Sequence, residues 1–143
     1  MTSKLNVSLV DLELEDLFDE AKEIEAETIV KTKSTVSSYL AGTEELVQEE
    51  FDKSLSIFHG LENLKDKHKL DAFAIRCWPE TFTEYGCASC GPMAMMNEKK
   101  VSCACEADVL GGISCNILNQ MNNNPSLLVD IVDVDKSDNS LVF

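Results

Sequence analysis

The chain has 143 residues and carries 26 carboxylates against 12 Lys and Arg, a formal net charge of −14. That length suits one domain with a real core, and 44% apolar residues argue against a disordered chain. The acidity repels phosphate backbones, so nucleic acid and anionic membrane are excluded as expected partners. No window approaches the ~18 apolar residues of a membrane span. Met1-Thr2-Ser3-Lys4 leads into no long apolar stretch. No secretory leader is therefore expected, and the six cysteines should be reduced thiols of a cytoplasmic protein.

Half of the carboxylates fall in the first 50 residues. Residues 9–31 predict one amphipathic helix, because Val10, Leu14, Leu17, Phe18, Ala21 and Ile24 recur at helical spacing. Ser8 is its expected N-cap, with Asp11 three residues on. Residues 32–42 read as a connection. Thr43 then caps a second helix whose stripe is Val47, Phe51, Leu55 and Phe58. Gly60 is expected to interrupt it, and Lys65, Lys67 and Lys69 suit a helix C-terminus. His59 and His68 have no Cys or His at ligand spacing and read as ordinary surface or helix-end histidines.

At Asp71 the texture changes. Ala72-Phe73-Ala74-Ile75, Val101–Cys105 and Ser126–Val134 are short apolar runs, the pattern of strands covered on both faces. Helices are predicted between them, from Pro92 to about 99 and over about 107–121. The expected architecture is α/β: two amphipathic helices (residues 1–70), then a parallel β-α-β-α-β layer (residues 71–143). Gly111-Gly112 inside the last helix favours close packing against that sheet over approach of a ligand.

Ligands of parallel sheets gather at the carboxyl ends of the strands. Glu80 follows the first strand in Arg76-Cys77-Trp78-Pro79-Glu80, and Glu106 ends the second. Asp130 lies within the third, where an apolar setting calls for a partner: a salt bridge to Arg76, a backbone contact, or a metal ion. Glu106 also has a plainer reading as an acid at the start of the next helix. Cys87-x2-Cys90 with Cys103-x-Cys105 is a candidate zinc-thiolate set, set against packed apolar thiols in a buried strand.

Arg76-Cys77-Trp78-Pro79-Glu80, Cys87 ahead of a short helix, Cys103-Ala104-Cys105-Glu106-Ala107-Asp108-Val109-Leu110-Gly111 and Leu128-Val129-Asp130 together resemble the L-fucose isomerase-like family, which includes L-arabinose-type isomerases. The likeness covers about residues 70–135. It implies a metal-dependent aldose–ketose isomerase acting through an enediol on an open-chain sugar. By position in the motifs it implies that Glu106 and Asp130 are metal ligands that also serve as acid and base, with manganese the expected ion. Trp78 is a candidate to stack on a sugar face, set against a plain packing role after a strand, and Glu80 is a candidate to bind a sugar hydroxyl. The family's third ligand is a His further along the chain, and none occurs after His68. The resemblance therefore implies an excised or truncated piece of a longer enzyme, inactive alone, with the His supplied by a partner segment or a homo-oligomer. The alternative is a binding or assembly domain that keeps the fold without the chemistry.

Overall fold

The computed structural model describes residues 5–143. The leader reading at Met1–Lys4 lies outside the described residues. Where one helix is expected over 9–31 there are two, α1 (Leu14–Lys22) and α2 (Ala26–Ser37). Glu13 caps α1, its backbone N–H donating to Asp16 Oδ2 at 2.9 Å. The expected cap at Ser8 precedes the helix. The break has a packing reason. Ile24, between the two helices, already packs against a second cluster built on Ile29, Val36 and Leu55. Leu17, Phe18 and Ala21 of α1 instead join the main core.

A 3-10 turn (Thr43–Glu45) leads into α3 (Gln48–His68), which runs through Gly60 unbroken. A Cβ at Gly60 would lie 3.2 Å from the Ala21 N and from the Leu17 O of α1. The glycine thus sets how closely α1 approaches α3; it does not end the helix. Lys69 closes α3 in the left-handed conformation, and Leu70 N–H donates back to the Lys65 carbonyl at 3.0 Å. His59 lies half-buried inside the helix, not at its end or on the open surface: its ring nitrogens meet Thr32 Oγ1 at 2.8 Å and Glu62 Oε2 at 3.0 Å.

The strand–helix–strand unit forms as the apolar runs predict. β1 (Ala72–Ala74) pairs in parallel with β2 (Ser102–Ala104), Phe73 opposite Cys103, with α4 (Cys90–Glu98) as crossover. The main core draws on both halves of the chain, Leu61 and Leu64 of α3 packing with Ile75, Met93, Met96 and Cys103. α5 (Val109–Asn122) lies on the sheet, and a Cβ at Gly112 would sit 3.2 Å from the Phe73 carbonyl oxygen. Gly112 therefore serves close packing against the sheet, as the sequence favours, whereas a Cβ at Gly111 would meet the capping Asp108 side chain at 2.5 Å and Leu128 at 2.6 Å.

The third parallel strand does not form, so the expected layer is a two-stranded parallel sheet. Asn97 of α4 supplies a physical reason. Its side chain accepts from Cys103 N at 2.9 Å and donates to Cys103 O at 3.1 Å. One amide thereby occupies the outer edge of β2, where a third strand would pair. Residues 126–131 run without regular structure, exposed except for the half-buried Ser126 and Leu128, and the chain closes in an antiparallel hairpin, β3 (Asp133–Asp135) with β4 (Ser140–Val142). Asp135 Oδ1 accepts from the N–H and hydroxyl of Ser137 in its turn, which holds the Asp135 carboxyl below its usual range. No helix of the described residues is long and apolar enough to cross a membrane.

Candidate active site

The carboxyl ends of β1 and β2 stay bridged beyond the sheet. Ile75 N–H donates to the Ala104 carbonyl and Ala107 N–H to the Ile75 carbonyl, both at 2.9 Å. Between those bonds the chain turns sharply, with Glu106 at φ 58° and Ala107 at φ 56°. Two successive non-glycine residues in the left-handed region are uncommon, and such strain gathers at functional sites. The turn presents the Glu106 side chain to solvent at the strand end. Glu106 does not cap α5. Asp108 does, its Oδ1 accepting from Gly111 N at 2.8 Å. Among the described residues, Glu106 has no hydrogen bond or ion pair to its carboxylate.

The structure brings Glu106 together with Cys77 and Cys105, which offer ligand atoms all within 4.8 Å of one another. Asp130 is not in that group. It is exposed in the irregular segment, so the buried, partner-demanding setting expected of it is absent. Its segment passes the start of α5: a Cβ on Gly111 would sit 2.6 Å from Leu128 Cδ2. Arg76, the alternative partner for Asp130, is instead paired with Glu80 at 2.5 Å.

That ion pair leaves Glu80 Oε2 buried without a hydrogen-bond partner. Arg76 and Glu80 line a cleft of about 460 Å³ with Glu13, Leu61, Phe73 and Ala107. The cleft thus runs beside the Glu106 turn. Trp78, 63% exposed, stands edge-to-face on Phe82 with ring centroids 5.2 Å apart. Its ring is available to a ligand. A five-residue π-helical turn, Thr81–Tyr85, follows it, anchored by the Thr81 hydroxyl donating to the Cys77 carbonyl at 2.6 Å.

The four-thiol zinc set is not assembled. Cys87 and Cys103 are buried in the main core and Cys90 is exposed. Burial pushes the Cys87 thiol up to about 11 and the Cys103 thiol up to about 12. The Cys105 thiol is also pushed up, by burial and then by its contact with Cys77. Sequence reasoning missed that contact, Sγ to Sγ 2.6 Å. The signal was present: each cysteine stands just past the end of one of two adjacent parallel strands.

No protein-family model matches the chain. No solved structure matches it. Among curated proteins, it is 33% identical over 140 residues to a sulfoquinovose isomerase of Alkalicoccus urumqiensis, covering 92% of this chain and 30% of that protein. It is 26% identical over 137 residues to one from Clostridium sp. (strain MSTE9), covering 96% and 31%. A third, from Priestia aryabhattai, is 28% identical over 148 residues, covering 100% and 32%. These relatives support a sugar-isomerase relationship without singling out the L-fucose isomerase-like family. The chain is similar to sulfoquinovose isomerases along nearly its whole length, and it spans about a third of theirs.

Proposed function

We propose that the chain is the carboxylate-bearing part of an aldose–ketose sugar isomerase. The observation that carries this reading is the similarity to sulfoquinovose isomerases across the stretch that holds Glu106 and Asp130. Sulfoquinovose is accordingly the first sugar to assay, with L-fucose and L-arabinose for comparison. Such a reaction moves hydrogen between adjacent carbons through an enediol. One carboxylate takes the proton beside the carbonyl and another returns a proton to the neighbouring carbon, each contribution worth about 10²–10⁴-fold.

Glu106 and Asp130 are proposed for those roles and as metal ligands. Their oxygens are hard donors, and with Asp108 acting as the helix cap Glu106 is free to bind a cation. Manganese is the proposed ion; when bound it polarises the sugar carbonyl as a Lewis acid. Two carboxylates fall short of a full shell for such an ion. A further ligand, a His in the family the motifs resemble, would come from a longer chain or a second copy. The Trp78 ring would cover a sugar face, and Glu80, in the wall of the cleft, would accept from a sugar hydroxyl.

Manganese should raise the Tm of the chain, and Glu106→Gln should remove that rise while leaving the metal-free Tm within a few degrees. A Tm unmoved by manganese would overturn the reading. It would favour the second one, a binding or assembly domain without chemistry, for which the missing third ligand speaks.

A further inference from the structure

We infer that Cys77 and Cys105 form a reversible disulfide that clamps the carboxyl ends of β1 and β2 immediately beside Glu106. The sulfurs stand 2.6 Å apart, and a disulfide needs about 2.05 Å, so closure takes a movement of about 0.5 Å. A shared zinc would need the opposite. Two tetrahedral bonds of about 2.3 Å hold their sulfurs about 3.8 Å apart, which would push these two outward by more than twice that movement. The geometry thus favours the covalent bond over the ion. The backbone is already fixed for it, since the Ile75–Ala104 and Ala107–Ile75 hydrogen bonds flank Cys105 and tie the two strand ends together.

Access is asymmetric. Cys77 is buried, whereas Cys105 is partly exposed. A small-molecule disulfide such as oxidised glutathione can therefore reach Cys105 first. The Cys105 thiolate attacks one sulfur of the reagent, forming a mixed disulfide and releasing one glutathione thiolate. The Cys77 thiolate then attacks the Cys105 sulfur and releases the second. The protein loses two protons and two electrons; the reagent takes both and becomes two glutathione thiols. Closure fixes the side chain that precedes the strained Glu106–Ala107 turn, making the site responsive to the surrounding thiol–disulfide balance. The inference needs neither metal nor sugar, so it stands or falls apart from the isomerase reading.

The test is incubation of the reduced chain with oxidised glutathione, followed by alkylation, intact mass and peptide mapping. The expected product is a monomer lighter by two hydrogens, with Cys77 and Cys105 joined, a Tm higher by several degrees, and full reversal by dithiothreitol. Cys105→Ser should abolish the loss of mass, and Cys90→Ser should leave it unchanged. A monomer whose Cys77 and Cys105 both remain alkylatable, or bonds running only through Cys90 or between chains, would overturn the inference. The wild-type mapping decides the matter even if Cys105→Ser fails to fold.

Discussion

The main core and the segment after α5 have similar apolar content and opposite fates. In the core, Ile57 is fully buried and Leu61 nearly so, held between α1, α3 and the sheet. In the later segment, Ile131 is 63% exposed and Val132 73% exposed. Hydropathy is the same signal in both places. What differs is whether a neighbouring surface is open to receive it: the outer edge of β2 at Cys103 is filled by the Asn97 amide, and the third apolar run is left without that partner.

The broadest way to break this comparison is to truncate one residue in each region. Leu61→Ala should cost about 2–5 kcal/mol, the range for a large-to-small change in a packed core. Ile131→Ala should stay within about 0.5 kcal/mol, as for a surface site. Urea unfolding of the two variants checks both. Equal losses would mean that residue 131 is buried in solution and that the contrast is false.

A sharper test removes the amide that closes the sheet edge. Asn97→Ala leaves the N–H and carbonyl of Cys103 without their partners in the core, at a cost of about 1–3 kcal/mol. Hydrogen exchange on this variant should show faster exchange of the Cys103 amide. An unchanged rate would mean that Asn97 does not guard that edge.

A further effect is expected from pH. Burial raises Cys87 to about 11 and Cys103 to about 12, above the ordinary thiol value of 9.0. The unfolded chain ionises these thiols first, so it releases protons that the folded chain keeps. The stabilising contribution is complete below pH 9 and is lost as pH rises from there toward 11 and 12. Tm should fall across that window, and Cys103→Ala, though less stable at neutral pH, should fall less steeply. Parallel slopes would remove the buried thiol as the cause.

Much of the strand–helix–strand unit was legible. Ala72–Ile75 and Val101–Cys105 are apolar runs separated by a helical stretch, and local pattern suffices where burial is nearly complete. The position of Glu106 at a strand end followed from the same pattern. The break between α1 and α2 was not legible, because an apolar stripe does not say which cluster each residue will join. The apolar run Ser126–Val134 predicts a strand around Asp130, and such a run cannot say whether a sheet edge is free to receive it. The Cys77–Cys105 contact spans 28 positions and depends on strand register, which single-chain pattern reading does not supply.

The sequence by itself determined the helical first half, the two strands, the carboxylates that end or follow them, and the motifs that resemble those of sugar isomerases, since each rests on residues close together along the chain. Only the tertiary structure decided that Asn97 fills the sheet edge, that Asp108 leaves Glu106 uncapped, and that two thiols meet beside it. Those outcomes depend on which groups share a position in space, and pairing through space satisfies polar groups that no local pattern can assign.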